Sequence, residues 1–357
     1  MNNKKLRRLL AGTLAAGALA VPLSFGAAPA PAAEANAASI IGAVIGGFQA
    51  HSELNAVLHK YNDTEEGRQE YFNEMKKEYG VNDDWKLNQQ LTRIMTNLTA
   101  GIGAVDATVY DKPYNYFINN EQSFNAFCTL GHNLSVNTGL YEVLQNEDEI
   151  AVVLGHELAH GQKDHPAKGA KQSLNMQILG AATGSQAGAI MAQVINNRHI
   201  TKPMEQEADA LAFDYITHTN YNPGATAAVW QRVLDLSQNQ ASSVQQFLSD
   251  HPADDARRDA YVKKITKFSE DHVTAKDGLV KVNTKDFTVP AAANGMSAQE
   301  RSYFVMGNLA AAYHNGHNKS QAYASGNTVM LGVQPIMTCA AGDESASVLA
   351  QRLNSIK

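Results

Sequence analysis

Residues 147–163 read EDEIAVVLGHELAHGQK, and this stretch decides how the chain is interpreted. Three acidic residues open it, which is favourable at a helix N-terminus, where the helix dipole attracts negative charge. An apolar run follows and predicts a buried helix that continues to about Lys163. On such a helix His156 and His160 are four residues apart and lie on one face. Each imidazole can therefore direct one nitrogen at the same point.

The H-E-x-x-H spacing is suited to metal-assisted hydrolysis. His156 and His160 would bind a zinc ion, and Glu157 would reach a water on the metal instead of the metal itself. Zinc lowers the pKa of such a water to about 7, and the carboxylate takes its proton as the water attacks a carbonyl. The chain has 12 His among 357 residues, and chance gives the pattern about 0.02 times in such a chain. We therefore predict one zinc ion per chain, with Glu157 as general base.

A catalytic zinc needs a third protein ligand, and the sequence offers two candidates. His165 is near in sequence, but it lies beyond a predicted helix end. Glu205 is the stronger candidate, because Glu205 and Asp209 share one helical face. An Asp one turn on can accept the second N–H of a ligating His and so fix the orientation of its ring. We assign Glu205 to the metal and Asp209 to that supporting hydrogen bond, and we expect Glu207 to face solvent.

Four motifs together resemble the zinc peptidase family that includes the CAAX prenyl protease and HtpX. The resemblance implies a gluzincin, in which two His and one Glu bind zinc, and it puts the third ligand on Glu205. The chain lacks the multiple membrane spans of those two proteins, so prenylated substrates are not implied. It is more similar to soluble, periplasmic envelope-maintenance members such as BepA. The motifs, in chain order, are Asn125-Ala126-Phe127, His156-Glu157-Leu158-Ala159-His160, Glu205-Gln206-Glu207-Ala208-Asp209, and His251-Pro252 with Arg257.

These motifs add three candidate site residues. The resemblance suggests Asn125 and His251 as catalytic residues, because an amide or imidazole near the metal can donate to a developing oxyanion. His251 could also take the open metal position in a resting enzyme. A capping or core role for His251, and a turn or strand-edge role for Asn125, stay open. Arg257 could orient the site, bind substrate backbone or form a structural ion pair.

The first 37 residues have the pattern of an export signal. A basic segment and a short apolar run precede Ala35-Asn36-Ala37, which fits an A-x-A cleavage site. We predict a cleaved signal peptide over 1–37, no integral membrane anchor after cleavage, and a periplasmic or extracellular protein. In that setting Cys128 and Cys339 could form a disulfide or stay as buried thiols. The net charge of −6 predicts no nucleic-acid partner, which would call for a basic patch.

The remaining patterns predict an α+β protein that is mostly helical. A composition change near Lys276 predicts a boundary between a zinc metallopeptidase domain over 38–275, with a small β-sheet at its edge, and a small C-terminal α+β domain over 276–357. No internal repeat is apparent. The predicted helices cover 53–79, 85–99, 147–163, 167–196, 203–217, 225–236, 297–314 and 344–356, and strands are expected at 107–110, 116–119, within 125–137, 278–289 and 328–338.

These features predict a zinc-dependent endopeptidase, a hydrolase acting on misfolded or unassembled envelope proteins. Polypeptide substrates are expected, and envelope assembly partners are a further expectation. A zinc-stabilised chaperone would share the fold and ligands, and a cell-wall amidase would also use zinc and water. Glu157 favours the enzyme over the chaperone. Because it is not expected to bind the metal, it is needed for turnover but hardly for folding.

Overall fold

The computed structural model describes residues 51–144, 146–181, 200–238, 244, 247, 251 and 255–357. The expected signal peptide and the end of the helix expected over 167–196 lie outside them. Within these ranges the chain is mostly helical and carries three small sheets, an α+β architecture. None of the helices in these ranges is both long and apolar enough to cross a membrane.

The helices follow the apolar periodicity of the sequence. Residues 51–58 are helical and continue through a π-helical turn at His59–Asp63. The labelled helices are α1 (Glu65–Tyr79), α2 (Trp85–Val105), α3 (Thr138–Val143), α4 (Glu147–Gln162), α5 (His165–Ala181), α6 (Lys202–Thr217), α7 (Ala225–Gln238), α8 (Asp255–Phe268), α9 (Ala298–His314) and α10 (Ala346–Ile356). The strands are β1 (Asn115–Asn119), β2 (Ala126–Thr129), β3 (Asn133–Asn137), β4 (Val273–Lys276), β5 (Leu279–Val282), β6 (Lys285–Thr288), β7 (Ala322–Ser325), β8 (Thr328–Leu331) and β9 (Gln334–Thr338).

One strand prediction was wrong. Residues Ala107–Tyr110 form a short 3₁₀ helix and not a strand. Asp106 causes the difference, because its Oδ1 accepts hydrogen bonds from the Thr108 backbone N–H at 3.1 Å and from the Thr108 hydroxyl at 2.6 Å. A side chain that satisfies the first free N–H groups favours a helical turn over an extended chain, whatever the β-branched content of the segment.

The first sheet lies against the motif helix α4. Its strand order is β1-β3-β2, with β1 parallel and β2 antiparallel to β3, so the predicted hairpin within 125–137 is confirmed. The edge strand β2 approaches α4 closely at Gly161, where a Cβ atom would lie 2.8 Å from both Cys128 Sγ and the Tyr114 hydroxyl. Only glycine allows this approach, and one turn earlier on α4 the Glu157 carboxylate accepts a hydrogen bond from the Cys128 backbone N–H of β2.

The C-terminal part contains one supersecondary unit twice, which the sequence alone did not reveal. Each unit is a three-stranded antiparallel meander followed by a helix: β4-β5-β6-α9 and β7-β8-β9-α10. The strands of the second unit begin 49 residues after those of the first: Val273 and Ala322, Leu279 and Thr328, Lys285 and Gln334. Both middle strands carry a register shift after their second residue. Matched positions of the two units share few identical side chains, so the duplication is not apparent in the sequence.

Helix α9 of the first C-terminal unit packs on α7 and α8 of the peptidase part, and one hydrophobic cluster extends through both. A buried polar contact lies in this interface. The Arg232 guanidinium lies 3.2 Å from Glu149 Oε1 of α4 and 2.9 Å from Glu300 Oε1 of α9. Independent folding of 38–275 and 276–357 stays a prediction.

Candidate metal centre

Helix α4 brings the two motif histidines together. Asn146 caps the helix, accepting a hydrogen bond from the Asp148 backbone N–H at 2.8 Å. The apolar residues of its first half are buried, so the helix crosses the core and carries His156 and His160 into the interior. Their Nε2 atoms lie 3.0 Å apart. The predicted i, i+4 arrangement is therefore present.

Helix α6 packs along α4 and supplies the carboxylate predicted as the third ligand. Glu205 is buried, with Oε1 3.2 Å from His160 Nε2 and Oε2 3.6 Å from His156 Nε2. Proline in the first turn, at position 203, suits the start of this helix, because a proline there loses no helical hydrogen bond. Two imidazole nitrogens and a carboxylate oxygen form a donor set that suits zinc.

His251 brings a fourth donor to the same point. Its Nδ1 lies 3.3 Å from His156 Nε2 and 3.1 Å from Glu205 Oε1. Four ligand atoms, from His156, His160, Glu205 and His251, lie within 4.8 Å of one another, and all four residues are buried. Buried ionisable groups that converge in this way are costly unless a cation or mutual pairing compensates them, so the donor set fits a metal ion. Pro252 lies outside the described residues.

Glu157 lies beside this cluster and faces the edge strand. Its Oε2 accepts a hydrogen bond from the Cys128 backbone N–H at 3.1 Å, and its Oε1 lies 3.2 Å from His251 Nε2. Burial would raise the pKa of Glu157, but the neighbouring histidines, His251 above all, lower that pKa to about 2. The carboxylate is therefore held in its anionic form, as a proton acceptor must be. A small cavity beside it is lined by Phe127, Cys128, His160, Pro166, Ile200 and His251.

Asp209 supports the cluster from behind. Its Oδ1 lies 3.1 Å from His156 Nδ1, the nitrogen that faces away from the other ligand atoms. Arg257 donates to both oxygens of Asp209, at 2.8 and 2.6 Å, and its Nη1 lies 2.9 Å from Glu205 Oε2. Tyr261 donates to Asp209 Oδ1 at 3.0 Å. Arg257 thus lies beside two carboxylates of the site, and it stacks 3.8 Å above the Trp230 ring.

Asn125 is buried immediately before the edge strand β2. Its carbonyl accepts the Asn137 backbone N–H at 3.1 Å, extending the hairpin by one pair. Asn125 thus lies just before β2, the strand whose Cys128 N–H contacts Glu157. The Asn125 motif and the H-E-x-x-H motif are therefore neighbours in the fold. Its catalytic role stays a prediction.

The disulfide considered for Cys128 and Cys339 is not formed, and both residues are thiols. Cys128 is buried in β2 against Gly161 and Tyr114 of the peptidase part. Cys339 follows β9, where its N–H donates to the Asn327 carbonyl at 2.8 Å. Cys128 is buried and Cys339 is only partly buried, so the alternative of buried, packed thiols holds for Cys128 and only in part for Cys339.

Two contacts of the centre were not predicted. His165 does not join the ligand cluster; its Nδ1 lies 2.9 Å from His160 Nδ1, on the side away from Glu205. Glu207 is exposed, as expected, but its Oε2 also lies 3.1 Å from His165 Nε2. The five-residue spacing between His160 and His165 was the one available signal, and it does not place both residues on one face of a continuous helix.

The comparisons with known proteins concern the part of the chain that builds this centre. The profile of peptidase family M48 matches residues 86–264, about half of the chain. The metalloprotease LoiP of Escherichia coli is 25% identical over 167 residues, which cover 44% of this chain and 64% of LoiP. The β-barrel assembly-enhancing protease of Yersinia pestis is 24% identical over 195 residues, or 48% of this chain and 37% of that protein. The mitochondrial metalloendopeptidase OMA1 of Saccharomyces cerevisiae is 28% identical over 157 residues, or 41% of this chain and 45% of OMA1.

This chain therefore spans about a third to two thirds of the length of these relatives. The matched segment contains the hairpin, the H-E-x-x-H helix, Glu205, Asp209, His251 and Arg257. Matched sequence and converging donors lead to the same conclusion: the chain belongs to peptidase family M48.

Proposed function

We propose that this protein is a zinc-dependent endopeptidase that hydrolyses peptide bonds in polypeptide substrates. The observation that carries the proposal is the convergence of the His156, His160 and Glu205 ligand atoms next to a buried, anionic Glu157. Ligands alone would suit a structural metal. A carboxylate that is one residue from a ligand, and is itself outside the ligand set, suits general-base catalysis.

One zinc ion per chain would be held by His156, His160 and Glu205 in the manner of a gluzincin. When bound, it would polarise the scissile carbonyl and acidify a water molecule. Glu157 accepts the proton of the attacking water and returns it to the leaving amine. The Cys128 N–H holds the Glu157 carboxylate at 3.1 Å and so fixes its direction before substrate binds.

His251 has two roles in this proposal. In the resting protein its Nδ1 lies among the ligand atoms and would be available to a bound metal ion as a fourth ligand. When substrate enters, His251 moves off and donates to the oxyanion that develops at the scissile carbonyl, where a preorganised donor is most effective. Asn125, at the head of β2, is the second donor. Arg257 acts behind the ligands, holding Asp209 and Glu205.

The edge strand β2 positions the substrate. Among the described residues it pairs with one strand, β3, on its inner side, so its outer backbone groups can pair with an extended peptide, as sheet edges do in other peptide complexes. The Cys128 N–H lies on that outer side and reaches Glu157. A peptide added there would run past the general base.

The proposed physiological substrates are misfolded or unassembled envelope proteins, and the proposed location is periplasmic or extracellular. The basic segment, apolar run and A-x-A site of residues 1–37 support export. One relative is named a β-barrel assembly-enhancing protease, which supports an envelope role here.

The experiment is digestion of a reduced, unfolded protein with and without a zinc chelator, alongside metal analysis. We expect about one zinc per chain, loss of cleavage on chelation, and recovery when zinc is restored. The same protein in folded form serves as the matched substrate and should be cut slowly. Cleavage that persists in a metal-free sample contradicts the proposal.

A further inference from the structure

His160 and His156 each turn their second ring nitrogen towards a different kind of partner. His156 Nδ1 lies against Asp209, which Arg257 and Tyr261 hold in place. His160 Nδ1 lies 2.9 Å from His165 Nδ1. The partner of one proposed ligand is thus a carboxylate, whereas the partner of the other is a second imidazole ring.

The turn between α4 and α5 brings His165 into contact with His160. Helix α4 ends at Gln162, and Asp164, with φ of 50°, turns the chain so that α5 begins at His165. Asn62 holds this turn by donating to Asp164 Oδ1 at 3.2 Å. The turn returns His165 beneath His160, where it is 1% exposed. Burial of an imidazole at this position would be unfavourable without hydrogen-bond partners.

His165 has a second partner on the opposite side of its ring. Its Nε2 lies 3.1 Å from Glu207 Oε2 of α6, and the Glu207 side chain is 49% exposed. The order His160, His165, Glu207 therefore leads from the proposed ligand to the protein surface. Glu207 is two residues from Glu205, so the same helix supplies a ligand to the metal and an anchor to this chain of contacts.

The hydrogen positions follow from what each atom faces. His160 Nε2 faces Glu205 and His156, so a neutral His160 that binds a metal there carries its proton on Nδ1. That N–H donates to His165 Nδ1, which must then be the acceptor. The remaining proton of His165 is on Nε2 and donates to Glu207 Oε2. The two hydrogen bonds therefore run in the same direction: His160 donates to His165, and His165 donates to Glu207.

We propose that His165 and Glu207 are positioning residues for the metal ligand His160, with Glu207 fixing the tautomer of His165 and His165 fixing the tautomer and ring direction of His160. This inference rests on the proposed zinc site. Partners of this kind orient ligating histidines in metal sites, and their loss costs about 10–100-fold in metal affinity.

The test is the zinc dissociation constant, measured by competition with a chromophoric chelator, so that no activity is needed. We expect His165→Phe to bind zinc about 10–100-fold more weakly than wild type. His165→Gln, which can still accept from His160, should lose less. Glu207→Ala should also weaken zinc binding. Because the Glu207 side chain is half-exposed, we expect this variant to fold as wild type does. His218→Gln, an exposed histidine near the end of α6, is the matched control and should bind as wild type does.

The double variant separates positioning from general packing damage. If Glu207 acts through His165, Glu207→Ala should add nothing in the His165→Phe background, so the two effects should not be additive. Independent, additive losses would overturn the inference. A zinc affinity of Glu207→Ala and His165→Gln equal to wild type would also overturn it. Failure of the wild-type protein to bind zinc would instead refute the proposed function.

Discussion

Arg257 and Arg232 are two largely buried arginines, each placed between two carboxylates, in different regions of the molecule. Arg257 contacts Glu205 and Asp209 at the candidate metal centre. There, burial would raise the pKa of Asp209, but His156 and Arg257 together lower it to about 2. The carboxylates of this region are therefore ionised, and each has several donors.

The second region lies two turns earlier on α4, where Arg232 contacts Glu149 and Glu300. Burial raises the pKa of Glu149 to about 7, Arg232 opposes the rise, and Glu300 adds to it. Two carboxylates share one guanidinium here, and no histidine of the described part of the chain is among the groups that shift the pKa of Glu149. The pKa of Glu149 is therefore raised beside Arg232, whereas at the candidate metal centre His156 adds to Arg257 and the pKa of Asp209 is lowered.

The largest effect is expected at Arg257. Arg257→Met leaves Asp209 and Glu205 buried without their guanidinium, and removing one partner of a buried ion pair costs about 3–5 kcal/mol. Urea unfolding of the zinc-free protein measures this loss. Arg258→Met is the matched control on the same helix, because Arg258 pairs with the exposed Asp255 and Asp259, and such pairs contribute about 0–1 kcal/mol. Equal losses in the two variants would contradict the assignment of Arg257.

A smaller effect is expected at Arg232. In Arg232→Met, Glu149, whose pKa is about 7 in the folded chain, can be neutral at pH 6, so the cost should be that of an imperfectly paired buried polar group, about 1–3 kcal/mol. The same unfolding measurement compares it with Arg257→Met. A loss at Arg232 as large as the loss at Arg257 would break the distinction between the two clusters.

The smallest effect is a pH dependence at Glu149. Its pKa is about 7 in the folded chain, compared with an ordinary value of 4.5, so between these values the folded state holds the proton more tightly. Its contribution to stability is complete below pH 4.5 and is lost as pH rises towards 7 and beyond. Glu149→Gln cannot titrate, so unfolding free energies measured from pH 5 to 8 should fall less steeply in the variant. Parallel curves for wild type and variant would show that Glu149 does not titrate in this window.

The sequence predicted which side chains converge at the candidate metal centre better than it predicted the surrounding contacts. His156, His160, Glu205 and Asp209 were predictable because each pair is four residues apart on one helix, and helical geometry then fixes their common face. The Arg232 cluster was not, because Arg232 is 83 residues from Glu149 and only the packing of three helices brings the groups together. No local period encodes such a contact.

The fold shows the same division. The helices with strong apolar periodicity were predicted nearly to their ends, as for Lys202–Thr217 and Glu147–Gln162. Residues Ala107–Tyr110 were misassigned because composition favoured a strand whereas the Asp106 cap favoured a turn. The duplicated C-terminal unit was missed because a meander requires only alternating burial and turn residues, which unlike sequences supply equally well.

The central claim is that Glu157 is the general base beside a zinc ion held by His156, His160 and Glu205. Glu157→Gln tests it most directly, with zinc content and cleavage of an unfolded protein measured on the same preparation. Because Glu157 is not a ligand, we predict about one zinc per chain, as in wild type, with cleavage reduced by about 10²–10⁴-fold. A variant that retains zinc and cleaves at nearly the wild-type rate would contradict the account.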